Sequence, residues 1–194
     1  MDHLELFTDG GAIKIGNTFY GSSACVIRYK EKYFTFTNQV NEGTNNYFEL
    51  KAIRDGLKAI ASNWRSLDGI EVWIVSDSQY SISCITEWFD GWSKVKGKYY
   101  NKSGKEVSNI DLILEIREIL SHIPNYRFVK IKSHIDVDIQ KSFIEFKKKN
   151  CIDISYTEYL LLVRYNETCD NKIRAALNIK RRDIARELGQ EVVV

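Results

Sequence analysis

The chain has one proline, Pro124, in 194 residues, and it shows no low-complexity stretch and no internal repeat. Nothing in the composition therefore reads as a linker. A chain of this length is long enough for one domain with a real core and marginal for two. Neither sign of charge is in excess: 28 Lys and Arg stand against 26 Asp and Glu, a formal net charge of +2. Overall charge thus names no nucleic-acid partner, and only local clustering could. The four cysteines (Cys25, Cys84, Cys151 and Cys169) are scattered, with no C-x-x-C pair, and histidines number three. That spacing argues against a structural zinc site, and the size and apolar content argue against a disulfide framework. No apolar run approaches the length of a bilayer span, and the acidic start MDHLELFTDG lacks the apolar segment of a signal peptide. The expectation is a reduced, cytoplasmic chain with no membrane partner.

The apolar pattern that is present divides into short runs of two kinds. Residues 3–8, 19–29 and 32–40 alternate and are rich in β-formers, with tight connections, which predicts an antiparallel meander. Leu50, Ile53, Leu57, Ile60 and Trp64 then fall at helical spacing, predicting a helix over 46–63. The nearly unbroken apolar run GIEVWIVSD (69–77) predicts a strand buried on both faces in a parallel pair. Helices are predicted over 78–89, 109–122 and 166–178, and a fifth strand over 126–134. The order describes an α/β fold with a mixed five-stranded sheet, the first three strands antiparallel and the last two parallel, with helices on both faces. One domain is expected over residues 1–194.

Three acids sit where these runs end. Asp9 precedes Gly10-Gly11, Asp77 closes the fourth strand, and Glu49 lies at the start of the first helix. Each has a plain structural reading: a turn for Asp9, a capping box with Asn46 for Glu49, a helix cap for Asp77. Those readings explain each residue alone but not the arrangement. In open α/β sheets, sites gather at the carboxyl ends of parallel strands, and acids crowded there raise each other's pKa unless a hard cation compensates.

The stretches FTDGG, TNNYFELKAI, VSDSQYSISCITEW and NETCDNKIRAAL resemble the ordered motifs of type 1 ribonuclease H, a likeness covering about residues 3–135 and 166–179. The resemblance implies that fold, and an endoribonuclease that hydrolyses the RNA strand of RNA–DNA hybrids to 5′-phosphate and 3′-hydroxyl ends. It implies that Asp9, Glu49, Asp77 and Asp170 hold two Mg²⁺ ions, with Mn²⁺ as the alternative, in two-metal catalysis. Asp136, Asp138 and Asp153 also follow the fifth strand, but Asp170 shares a helical face with Ile173 and Leu177. By the same resemblance Thr44 belongs to a DNA-phosphate pocket, Asn45 and Gln79 reach the minor groove, and Asn166 lies beside the scissile phosphate. The plain alternative for these amides is loop or cap chemistry.

The basic stretch over about 90–108, with Lys94, Lys96 and Lys98 beside Trp88 and Trp92, is similar to the family's duplex-gripping handle, although a charge run is usually a solvated face. The chain departs from the family after the fifth strand. His134 is kept, as a catalytic aid or an ordinary surface histidine, but the expected glycines are not. An insertion over about 136–165 follows, in which Tyr156, Tyr159, Leu160 and Val163 mark an amphipathic helix. This helix either extends the last one or lies over the site as another nucleic-acid contact. The tail 180–194 begins as a charged helix candidate. A monomer is expected. The competing readings are another metal-dependent nuclease of this fold, a non-catalytic nucleic-acid-binding module, and a phosphoacceptor using Asp9.

Overall fold

The computed structural model describes residues 2–132 and 138–188. Its first strand, β1 (Asp2–Ile15), hairpins into β2 (Thr18–Tyr29), which pairs with β3 (Lys32–Thr37) and a short β4 (Asn41–Glu42). Helix α1 (Asn45–Asn63) crosses back to β5 (Ile70–Ser76), which lies parallel to β1. Then follow α2 (Gln79–Ser83), a π-helical turn Cys84–Trp88, a 3₁₀ turn Phe89–Gly91, and a separate hairpin of β6 (Ser93–Val95) and β7 (Lys98–Tyr100). Helix α3 (Ile110–Ser121) leads to β8 (Tyr126–Lys130), parallel to β5. Helices α4 (Ile139–Asn150) and α5 (Tyr156–Glu187) complete the chain. The sheet order is β3-β2-β1-β5-β8, as the mixed sheet requires, with β4 added beside β2.

Strand alternation sorts the core into two layers. Leu4, Leu6, Val72 and Ile74 face α1 and α3, where Leu50, Ile53, Leu57 and Ile60 are fully buried. Each such side chain contributes about 1.5–3 kcal/mol on burial, which outweighs the modest helix propensity of α1. Phe7, Trp73, Val75 and Val129 face the other way, onto Tyr159, Leu162, Cys169, Ile173 and Leu177 of α5. All four cysteines are free. Among the described residues, no helix is long and apolar enough to cross a membrane.

The helix expected over 78–89 is instead α2 with the π-helical and 3₁₀ turns that follow it, and three further elements differ from the sequence expectation. First, β1 does not stop at residue 8 but continues through Asp9, Gly10 and Gly11 to Ile15, paired with β2 throughout. Second, the helix expected over 166–178 is the middle of α5, a 32-residue helix that absorbs the amphipathic segment of the insertion and most of the charged tail. No Gly or Pro interrupts Tyr156–Glu187, so nothing in the chain ends the helix earlier. Third, β8 ends at Lys130, and of the expected 126–134 run residues 133 and 134 lie outside the described ones. At its last ladder pair, Ser76↔Lys130, its free edge is met by the Asn150 side chain. The Asn150 amide accepts from Lys130 N at 2.8 Å and donates to Lys130 O at 2.9 Å, doing for this edge what a neighbouring strand's peptide would do.

Candidate active site

Parallel pairing of β1 with β5 ends at Thr8↔Ser76. The residue after each is an acid, so Asp9, still paired with β2, and Asp77, just past the end of β5, stand side by side. On β1, odd positions face α5 and even positions face α1, and the two glycines follow this alternation. A Cβ on Gly10 would lie 2.1 Å from the backbone nitrogen of Glu49 and 2.2 Å from the Phe48 carbonyl carbon. A Cβ on Gly11 would lie 2.9 Å from Cγ2 of Ile173 on α5. Gly10 and Gly11 are therefore not turn residues. Their missing side chains let the start of α1 press onto β1, and that approach carries Glu49 to Asp9.

The structural alternatives for the other acids also fall away. The cap of α1 is Thr44, whose hydroxyl accepts from Tyr47 N, so Glu49 lies beyond the position a capping box needs. Ser78, not Asp77, caps α2. Freed from cap duty, carboxylate oxygens of Asp9, Glu49 and Asp77 lie within 4.8 Å of one another. Asp9 and Glu49 are both 7% exposed, and Asp77 is half-buried.

Burial and mutual repulsion set the electrostatics. Burial, then the charges of Asp77 and Asp170, pushes the Asp9 carboxyl up to about 7, although Gly10 N–H donates to it at 2.8 Å. Burial, then Asp9 and Asp77, pushes Glu49 well above the ordinary carboxylate range. Burial also raises Asp77, against the opposing pull of Lys130 and the Asn166 side chain. One oxygen of this set, Glu49 Oε2, is buried and accepts no hydrogen bond. A buried carboxylate oxygen without a donor, facing two more carboxylates, suits a hard divalent cation and little else. The residues fit a divalent cation of the kind that the resemblance implies.

A pH dependence of stability follows for the cation-free protein. In the unfolded chain Asp9 titrates near 3.8, and in the fold near 7. Between those values the native state keeps a proton that the unfolded chain has released. Stability therefore falls as pH rises through that window, by at most about 1.4 kcal/mol per pH unit for a single group, and levels off above it. In chelator, the melting temperature of the wild type should fall from about pH 5 to about pH 8 more steeply than that of Asp9→Asn. Parallel profiles would show that the cluster is not strained by its own charge.

Asp170 lies in the same cavity of about 250 Å³ as Asp9, Asp77, Asn45 and Asn166. It stands outside the tight three-acid group and is held by Arg174, one turn on, at 2.9 and 3.1 Å. Asn166 is buried beside it with an unpartnered Oδ1, and Asn45 Oδ1 accepts from Ala12 N at 3.2 Å. Thr44, Trp88 and Trp92 come together elsewhere, in a hollow of about 600 Å³ shared with Tyr80. The start of α1 divides the two spaces, with Asn45 lining one and Thr44 the other. Gln79 is exposed at the start of α2. Lys94, Lys96 and Lys98 lie on the β6–β7 hairpin, which turns at Lys96 and Gly97, both at positive φ. Lys98 pairs with Glu106 at 2.9 Å, and Lys94 stands over the Tyr99 ring. His134 lies outside the described residues.

Lys130 and Arg174 join the site without having stood out in the sequence. Lys130 Nζ donates to the main-chain carbonyl of Asp77, and burial lowers its own pKa. Its signal is its place at the carboxyl end of a strand parallel to β5. Arg174 is signalled by its position one helical turn from Asp170.

Comparison with known proteins agrees with this geometry. The family model for RNase H matches residues 1–178. Ribonuclease HI of Haemophilus influenzae is 34% identical over 128 residues, covering 66% of this chain and 77% of that protein. Ribonuclease HI of Helicobacter pylori is 33% identical over 119 residues, covering 61% and 73%. Among solved structures, LC11-RNase H1, isolated from compost by a metagenomic approach, superposes with a TM-score of 0.53 at 21% identity, over 91% of this chain and 99% of that one. The same enzyme solved with an RNA/DNA hybrid gives 0.51 at 21% identity, over 90% and 99%. At that identity the two structures speak for the fold, and the family model and sequence relatives for the lineage. The chain belongs to the type 1 ribonuclease H family.

Proposed function

We infer that the protein is a divalent-cation-dependent endoribonuclease that hydrolyses the RNA strand of RNA–DNA hybrids, leaving 5′-phosphate and 3′-hydroxyl ends. The observation that carries this is the convergence of Asp9, Glu49 and Asp77 within 4.8 Å on a ribonuclease H fold. Family membership and the hybrid-bound relative LC11-RNase H1 support it.

Asp9, Glu49 and Asp77, with Asp170 completing the set, would hold two Mg²⁺ ions, with Mn²⁺ as a substitute. When bound, the ions supply acidification of the attacking water and charge neutralisation at the leaving oxygen of an in-line displacement. The remaining work falls to the chain itself. Asn166, buried between Asp77 and Asp170, steadies the carboxylate beside it and presents an amide to the scissile phosphate. Arg174 fixes the direction of the Asp170 carboxylate. Asn45 and Gln79 offer amides that donate and accept, which suits a 2′-hydroxyl and base edges without reading sequence. His134 is assigned the part that the family likeness implies for it, assistance to proton transfer or to product release.

The two spaces on either side of the α1 start suit the two strands of a duplex. The acidic cavity takes the RNA, and the hollow of Thr44, Trp88 and Trp92 takes the DNA phosphate and its sugar. The enzyme is proposed to act as a monomer in the cytoplasm. The β6–β7 hairpin would grip the backbone through Lys94, Lys96 and Lys98. Replacing all three by Ala should raise KM roughly tenfold or more at moderate salt while kcat changes little, because phosphate contacts act on binding through counterion release. Lys98, already paired, should contribute least. An unchanged KM would remove the hairpin from substrate binding.

Strand-labelled substrates test the function as a whole. With Mg²⁺ present, the RNA strand of a hybrid should be cut to 5′-phosphorylated products, and duplex DNA left intact. Equal cleavage of duplex DNA would favour another nuclease of this fold. Tight hybrid binding without cleavage would favour a non-catalytic module.

A further inference from the structure

The inserted helix α4 has no counterpart in the family motifs, yet it is firmly docked. Phe146 is buried against Tyr159, with ring centroids 5.1 Å apart, and Phe143 packs on Tyr156 and Tyr159. Asn150 fastens the end of the helix to the edge of β8 through its two bonds to Lys130. The preceding residue, Lys149, then reaches the active-site rim: its Nζ donates to Gln79 Oε1 at 3.0 Å.

Three lysines of the last turn, Lys147, Lys148 and Lys149, have an ordinary reason to be there, since cations stabilise a helix C-terminus. That reason accounts for Lys147, which pairs with Asp153 at 2.5 Å and lies over the Phe143 ring. It does not account for where Lys149 goes. Glu145, one turn earlier, is available for an i,i+4 pair, but among the described residues Lys149 has no ion pair within 4.0 Å and bonds a neutral amide instead. Lys149 also joins Lys130 and Lys132 around a hollow of about 240 Å³ between β8 and α4, which Glu145, Ser142 and Tyr159 help to line. Lys130 turns its ammonium to the Asp77 carbonyl, beside the acids, so the lining residues left to this space, Lys132 and Lys149 against Glu145, carry one positive charge in excess. Like charges gathered in this way are costly unless an anion shares the site. The site lies on the β8 side of Asp77, at the start of α2, whereas the β6–β7 hairpin follows the far end of α2.

Resting on the hydrolase reading, we propose that α4 is a second backbone grip, in which Lys149 and Lys132, with Lys130 behind them, take a phosphate of the hybrid on the side of the scissile bond opposite the hairpin. Lys149 also acts as a positioning residue, holding the Gln79 amide ready for the duplex. The anion is a nucleic-acid phosphate because this rim borders the substrate's own path past Asp77 and Gln79.

The test is equilibrium binding of a short fluorescent RNA–DNA hybrid in chelator, where no turnover occurs, across a series of salt concentrations. The double variant Lys132→Ala, Lys149→Ala should bind roughly tenfold more weakly at moderate salt. Its log–log salt slope should be shallower by about 0.9 for each phosphate no longer neutralised. Lys149→Arg should retain the wild-type slope, and so should Lys58→Ala, whose lysine pairs with Glu115 on the surface of α1. A merely structural Lys149 would lower the melting temperature and leave the slope untouched. Wild-type slope and affinity in the double variant would overturn the proposal, as would an equal loss in Lys58→Ala or a wild type that binds no hybrid. Cleavage by the wild type in Mg²⁺ is scored separately. Lysine-dependent binding without cleavage would keep the grip and lose the hydrolase, and cleavage with an unchanged slope would do the reverse.

Discussion

Asp9→Asn is expected to reduce hydrolysis of an RNA–DNA hybrid by about 10³-fold or more while the protein stays folded. The acid lies in the tight group with Glu49 and Asp77, where a bound cation must neutralise charge as the phosphodiester bond breaks. A cation in such a place contributes several kcal/mol to the transition state. Losing about 4 kcal/mol of that corresponds to roughly 10³ in rate. Asn has nearly the same shape as Asp, so packing against the α1 start is kept. In chelator at neutral pH the variant should be more stable than the wild type, because one of three crowded carboxylates has lost its charge. Inactivity combined with greater cation-free stability separates a metal ligand from a structural acid, whose removal would lower both. A variant with wild-type activity would sink the assignment of Asp9.

The second large effect concerns a residue with no side chain. Gly10→Ala is expected to cost about 3 kcal/mol or more, lowering the melting temperature by roughly 6–12 °C, and to abolish activity as well. The added Cβ would meet backbone atoms of Phe48 and Glu49 at 2.1–2.2 Å, and a helix backbone cannot rotate out of the way. The start of α1 would have to lift from β1, carrying Glu49 and Asn45 away from the other acids. Gly11→Ala is the internal comparison. Its Cβ would meet a side-chain methyl of Ile173 at 2.9 Å, which can move, so the cost should be nearer ~1 kcal/mol. Thermal melts of the two variants decide it. A Gly10→Ala protein as stable as Gly11→Ala would mean that α1 is not pressed against β1.

These glycines also mark the limit of what the chain alone discloses. Helix α1 is legible because Leu50, Ile53, Leu57 and Ile60 repeat at helical spacing, and β5 because its apolar run stops at Asp77. The antiparallel opening and the parallel pairing of β5 with β1 follow from those patterns. Asp-Gly-Gly, however, has the same composition whether it makes a turn or lets a helix approach a strand, and only the packing tells the two apart. A capping box at Asn46 is an equally fair local reading, displaced because Thr44 is a competent cap two residues earlier. The length of α5 is written in the absence of Gly and Pro from residue 156 to residue 187, a weaker signal than the motif that starts at Asn166. Contacts such as Lys130 with the Asp77 carbonyl, or Asn150 along the β8 edge, join residues 53 and 20 positions apart and have no local trace. They exist because the sheet order brings those edges together.

The most direct measurement is cleavage of a strand-labelled RNA–DNA hybrid by the purified chain, with Mg²⁺ and with chelator, beside Asp77→Asn. Cation-dependent cutting of the RNA strand by the wild type alone is the expected result. Cutting that persists in chelator, or that survives in Asp77→Asn at the wild-type rate, would contradict the claim that the clustered acids work by holding divalent ions.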